Sequence, residues 1–179
     1  VPRYAAFLRA VNVGGRVVKM ERLRQVFAET GFTGVSTHLA SGNVLFTAGR
    51  GRAAKLEEKI GKALGAALGW EVAVFLRTPA ELAAVAAQAP FPAEDVATAH
   101  AVYVGFLKEP PGPEPHALLH GLRTPTDELA VLGRELWWLC RVRSADSELS
   151  GGSLEKALGL PATFRNVTTV RAVAARLGR

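Results

Sequence analysis

The sequence predicts an α+β protein made of two ferredoxin-like halves of the βαββαβ type, with antiparallel sheets. Three observations predict it. Short β-branched and aromatic runs alternate with longer segments whose apolar residues recur at helical spacing. The longer segments stop at glycines, Gly31 and Gly69, which can end a helix in the left-handed conformation. The order strand, helix, strand, strand, helix, strand is complete by residue 77 and restarts after a helix-start motif at Thr78. The halves are placed at 1–77 and 78–179, the second packed on the first as one unit.

Taken in order, residues 4–11 form a strand. Met20, Leu23, Val26 and Phe27 then mark one face of a helix ended by Gly31. Residues 35–40 and 44–47 are strands joined through "SGN", where Gly42 can take positive φ. Leu56, Ile60, Leu64 and Leu68 form the face of a second helix, and residues 70–77 close the half as a strand. "TPAE" opens the next helix, with Thr78 as N-cap, Pro79 in the first turn and Glu81 completing a capping box. After "APFP", residues 101–107 form a strand, followed by the Pro-rich "KEPPGPEP" and a short helix over 116–122. Residues 128–132 and 135–142 pair across Gly133-Arg134, and helices over 153–158 and 168–177 finish the chain. The second half therefore echoes the first without its last strand and with one extra helix.

Composition bounds the function. The chain has 179 residues, 49% of them hydrophobic, which suffices for a core. No run approaches the ~20 apolar residues of a membrane span, and the first residues lack the zones of a secretory signal. A single cysteine, Cys140, excludes an internal disulfide framework and fits a reducing cytoplasm. The net charge of +6 permits an anionic partner. It does not demand one, because the basic residues are scattered from Arg3 to Arg179 rather than gathered in a block.

Metal chemistry has little to stand on. His116 and His120 have the spacing of two ligands on one helix face, but "ALL" between them lacks the glutamate of HExxH and no third ligand is clustered. The three aspartates, Asp95, Asp127 and Asp146, are far apart in sequence. No metal and no cofactor is expected. Cys140, in the apolar strand "LWWLCRV", reads as a small inert hydrophobe, and Trp137 and Trp138 as core and rim.

The stretch "YAAFLRAVNVGGRVVKM" matters most. It contains neither GxxxxGK[ST] nor GxGxxG. Gly14 and Gly15 nevertheless let backbone amides approach a ligand, Arg16 and Lys19 flank them, and a helix N-terminus follows. Arg9 shares a strand face with Phe7 and Val11 on this reading, so its guanidinium either pairs with a carboxylate or serves a ligand. The alternative is a plain glycine turn beside a snorkelling arginine. Ser41 and Asn43 sit at a hairpin tip, as turn residues or as ligand donors. Arg165 and Asn166, with Thr163, precede the last helix, which Asn166 or Thr168 can cap.

"RAVNVGG…VKM", "LASGNVLF", "APFP" and "LEKALGLPATFRNVTTV" resemble the bacterial domain-of-unknown-function family 1697, whose patterns run RGINVGG…KM, QSGNVVF, NPF and KLGVPATTRNWNT. The resemblance covers nearly the whole chain. The matched positions are Arg9, Asn12, Gly14, Gly15, Lys19, Met20, Ser41, Gly42, Asn43, Phe91, Thr163, Arg165, Asn166 and Thr169. The sequence departs at Ala10 (for glycine), Ala89 (for asparagine) and Val167 (for tryptophan), and Ser147-Glu148-Leu149 stands where the family has Ser-Lys-Leu. The resemblance implies a cytoplasmic bacterial protein with a two-part α+β fold, and no particular activity.

The favoured functional reading is a binding module for a phosphorylated or otherwise anionic ligand, a nucleotide or a nucleic-acid backbone. Its site would use Arg9, Asn12, Gly14, Gly15, Lys19, Ser41, Asn43, Arg165 and Asn166, with the "RAVNVGG" and "TFRN" turns expected to serve one anion together. A metal-independent small-molecule enzyme is the alternative, but no general base is identifiable. A structural or protein-interaction role is the third reading. No membrane partner is expected, and the oligomeric state is open.

Overall fold

The computed structural model describes residues 1–179, which divide into two compact units, Val1–Ala84 with Ala172–Arg179, and Val85–Arg171. The first contains β1 (Arg3–Leu8), α1 (Met20–Glu29), β2 (Thr33–Thr37), β3 (Asn43–Thr47), α2 (Ala53–Leu68) and β4 (Val74–Arg77). After α3 (Pro79–Ala87) and α4 (Ala93–Thr98), the second unit continues through β5 (Ala101–Phe106), α5 (Pro113–His120), β6 (Asp127–Leu132), β7 (Glu135–Cys140), α6 (Gly151–Leu158) and β8 (Thr163–Asn166). Helix α7 (Val167–Leu177) ends the chain. No helix is long and apolar enough to cross a membrane.

Both sheets are antiparallel and have one topology, β2-β3-β1-β4 and β6-β7-β5-β8. Numbered within its own unit, each runs 2-3-1-4, the ferredoxin-like order. In the first unit Tyr4, Ala6, Leu8, Val44, Phe46, Val74 and Leu76 point to one face, as period-two alternation requires. There they meet Leu23, Val26 and Phe27 of α1 and Ile60 and Leu64 of α2. In the second, Leu129, Leu136, Trp138 and Cys140 meet Leu119 of α5 and Leu154 and Leu158 of α6. Each large side chain so buried contributes roughly 1.5–3 kcal/mol.

The helix ends explain why the sequence was readable. Gly31 has φ 97°, its N–H bonds to Ala28 O and that of Phe32 to Phe27 O, with the Phe27 and Phe32 rings 6.0 Å apart. That is a Schellman motif with its hydrophobic contact. Gly69 and Gly159 end α2 and α6 in the left-handed conformation. The Thr78–Glu81 capping box forms as expected, with bonds of 2.8 and 3.2 Å.

Several expectations are corrected. The second half does not lack its last strand: β8 pairs with β5 from Tyr103↔Asn166 to Phe106↔Thr163. Its polar "TFRN" is a strand because β5 supplies the ladder, not because of its own propensity. The first strand ends at Leu8, not Val11, because Ala10 turns into the left-handed region at φ 63°. Arg9 therefore does not share a strand face with Phe7 and Val11. Helix α4, over the polar "AEDVAT", has no apolar face to announce it.

The final turns of the chain belong to the first unit. Arg176 donates to Thr37 O at 3.0 Å and to Ser36 Oγ at 3.2 Å, and Arg3 donates to Leu177 O at 2.9 Å.

Candidate functional site

Two loops meet at one end of the first sheet. The β1–α1 loop spans residues 9–19 and the β2–β3 loop residues 38–42. Asn12 ties them: its Nδ2 donates to Ala40 O at 2.6 Å and Val18 O at 3.2 Å, and its Oδ1 accepts from Val18 N at 2.6 Å. The Asn12 side chain is thus a staple of the site rather than a spare donor. Leu8 N donates to Gly42 O at 2.9 Å. Gly42 has φ 86°, and a Cβ there would lie 3.2 Å from that of Leu8, so glycine is needed for both conformation and space. Asn43 is fully buried and donates to His38 O at 2.6 Å and to Ser41 Oγ at 2.9 Å, which shapes the turn.

Gly14 and Gly15 are the centre of a turn in which Arg16 N bonds to Val13 O at 3.1 Å. Their φ angles of 59° and 82° are what a type I′ turn requires. A Cβ on either would meet nothing within 4 Å, so their backbone lies open to solvent. Arg9, Arg16 and Lys19 are exposed around them. The Arg16 guanidinium lies 5.0 Å from the centre of the Trp70 ring, a cation–π contact. Lys19 occupies the N-cap position of α1 and its side chain caps nothing. No acidic residue lies between positions 9 and 19.

Two features set this end apart. Ala10 and Leu39, at φ 63° and 61°, are the non-glycine residues of the chain with positive φ, one in each of the stapled loops. Such conformations cost of order 1–3 kcal/mol each and persist where surroundings impose them. The same loops expose Val13 (57%), Val17 (82%) and Leu39 (58%). Cations, open amides and exposed apolar side chains thus occur together.

The other predicted site residues lie in the second unit. Arg165 is only 7% exposed, and its Nη1 donates to Thr163 Oγ1 at 2.8 Å and Phe164 O at 2.9 Å. Burial lowers its pKa to about 10, so it remains a cation at neutral pH. Asn166 caps α7, its Oδ1 accepting from Thr168 N at 2.9 Å.

Sequence reading missed a polar centre at Asp127. This carboxylate is fully buried and accepts from Thr124 Oγ1 (2.6 Å), Trp138 Nε1 (2.8 Å), Ser147 Oγ (2.8 Å) and Thr126 Oγ1 (2.9 Å). Burial pulls its pKa up, but the hydrogen bonds from Thr124, Trp138, Ser147 and Thr126 outweigh that and hold it below the ordinary value. Its donors leave it a structural staple. Cys140 is buried, donates to Val142 O at 2.9 Å and has its pKa raised by burial, as an inert thiol should.

The second unit also has a cavity of about 390 Å³ walled by Phe91, Val96, Val102, Trp137 and Val167, with Gln88 and Arg171 among its lining. Two buried polar atoms in that lining, Gln88 Oε1 and Trp137 Nε1, have no hydrogen-bond partner. An orphaned buried group costs about 1–3 kcal/mol. The motifs "APFP" and "TFRNVTTV" each supply part of this lining, but they are far apart in sequence and neither announces a cavity.

The family model described as Protein of unknown function (DUF1697) matches residues 1–137. The chain belongs to this family. Membership in DUF1697 bears out the resemblance read from the motifs; "TFRN" lies beyond the matched segment. The solved structure of the conserved bacterial protein SP0830 from Streptococcus pneumoniae is similar at 23% identity and a TM-score of 0.74, over 99% of each chain. At that identity the likeness shows the fold alone. No curated protein matches the chain.

Proposed function

We propose that this DUF1697 protein is a binding module for an organic anion, a phosphorylated small molecule of the nucleotide kind, held by the stapled loops of the first unit. The observation that carries the reading is the concentration in those loops of Arg9, Arg16 and Lys19, the open Gly14-Gly15 turn and both strained non-glycine residues. Backbone amides in an open positive-φ turn and flanking cations suit a phosphate without a P-loop. Exposed Val13, Val17 and Leu39 favour a phosphate attached to an organic body over the bare ion. Ser41 and Asn43 support the site by shaping the adjoining turn. A role in a reducing cytoplasm agrees with the single buried thiol. An enzymatic reading still lacks a general base among these residues.

The test is a thermal-shift screen with nucleotides, sugar phosphates, a short oligonucleotide and inorganic phosphate. An organic phosphate at about 100 times its dissociation constant should add roughly 2.7 kcal/mol of stability. Lys19→Glu, weakening binding at least about tenfold, should cut that gain to about 1.4 kcal/mol or less at the same ligand concentration while leaving the ligand-free melting temperature unchanged. If no phosphorylated compound stabilises the protein, or if Lys19→Glu responds like the parent, the reading is wrong.

A further inference from the structure

Arg16 directly follows the open Gly14-Gly15 turn, and its backbone N–H closes that turn onto Val13 O at 3.1 Å. Its guanidinium lies over the Trp70 ring, 5.0 Å from the ring centre, while the residue stays exposed. Trp70, next after the glycine that ends α2, is half-buried and packs against the first unit's core. The ring is therefore a fixed support. It covers one side of a flat group, and no carboxylate or hydrogen bond engages the guanidinium otherwise. Lys19 has no such support and serves as a bare charge. A charge for phosphate needs no aromatic ring beneath it; a guanidinium held flat on an indole is prepared for a second flat π-system.

Building on the phosphate reading of the stapled loops, we infer that Arg16, supported by Trp70, is a nucleobase platform and that the ligand is a free nucleoside phosphate. The phosphate meets the amides of Gly14 and Gly15 and the Lys19 ammonium, and the base lies on the Arg16 guanidinium. The ribose spans the gap between them, which an extended arginine side chain next to the glycines matches in length. Stacking reads a flat ring rather than one base's edge, so each of the common bases is accepted. The basic residues of the chain are scattered from Arg3 to Arg179 rather than aligned in a strip. One platform beside one anion loop suits a single nucleotide over a strand, which needs a charged track and successive stacking rings.

The experiment compares AMP with ribose 5-phosphate, which carry the same phosphate and sugar and differ in the base. Nitrogen-15 NMR titration follows the Gly14 and Gly15 amides and the Arg16 Nε–H signal, identified by its loss in R16K. AMP should bind roughly tenfold more tightly than ribose 5-phosphate, the weight of one stacked base. It should also move the Arg16 signal upfield through the ring current of the base, which ribose 5-phosphate should not do. R16K keeps the charge and loses the plane. It should erase the preference for AMP and leave the affinity for ribose 5-phosphate essentially unchanged. Equal affinity for the two compounds, with the glycine amides shifting, overturns the platform while the phosphate site stands. An undiminished AMP preference in R16K overturns it too, as does markedly tighter binding of a pentanucleotide than of AMP. If neither compound binds, the phosphate reading falls and the platform with it.

Discussion

The two units share one framework and differ in what is built on it. Leu8 N bonds to Gly42 O at 2.9 Å in the first, and Leu107 N bonds to Arg134 O at the same distance in the second. Arg77 pairs with Ala5 and Arg165 with Val104, at corresponding places in the last strand of each sheet, and both arginines are buried. Each donates from Nη1 to the carbonyl of the residue before it, at 2.8 and 2.9 Å. The repeated order and register support descent from a single duplicated plait. The loops at the corresponding ends differ. In the first unit residues 9–19 and 38–42 form long, open, strained connections; in the second, residues 107–112 are proline-rich and the hairpin closes through Gly133 and Arg134. What differs over a common scaffold is the first place to look for function, and the buried arginine that recurs in both units belongs to the scaffold.

The sharpest way to break the comparison is at Asp127, for which β2 of the first unit has no acidic counterpart. Asp127→Ala should destabilise the protein by about 3 kcal/mol or more, since it orphans the Trp138 indole and three hydroxyls. Denaturant unfolding measures the loss. Because its folded pKa is depressed, the stability Asp127 provides is present above the unfolded carboxylate value of about 3.9 and is lost as pH falls through the folded one. Asp127→Asn should flatten the acid limb of the stability curve.

A smaller effect concerns a pair of positions that exchange bulk between the units. Ala6 lies opposite Leu76, whereas Gly105 lies opposite Phe164, and a Cβ on Gly105 would come within 2.6 Å of that ring. Gly105→Ala should cost about 1–3 kcal/mol by overpacking. Adding Phe164→Leu, which recreates the first unit's pairing, should recover much of that loss in a double-mutant cycle. Simple additivity of the two losses would mean that the glycine and the ring are not matched. The smallest effect is expected at Lys19, where alanine should change stability by no more than about 0.5 kcal/mol, since its side chain holds nothing.

The fold class was legible because its signals are local. Apolar spacing in α1 and α2 and the glycines at 31, 69 and 42 act within a few residues of themselves. β8 was not legible, because a four-residue segment with three polar side chains becomes a strand only when β5 offers it a ladder. Of the predicted site, residue types were readable and some roles were not. The cap of the last helix by Asn166 could be read from its position, whereas the stapling of two loops by Asn12 depends on Ala40, distant in sequence. The Asp127 cluster and the Trp137 cavity were hidden because they assemble from distant segments, and no single segment carries the whole of either.

The account rests most on the claim that the first unit's stapled loops bind an organic phosphate. Titration of nitrogen-15-labelled protein with ADP, read at the backbone amides of Gly14, Gly15 and Lys19, tests it most directly. The account predicts saturable shifts concentrated at these amides and at residues 39–42, weakened at least about tenfold by Lys19→Glu. Unchanged Gly14 and Gly15 signals at saturating ADP, or shifts gathered elsewhere in the chain, would contradict it.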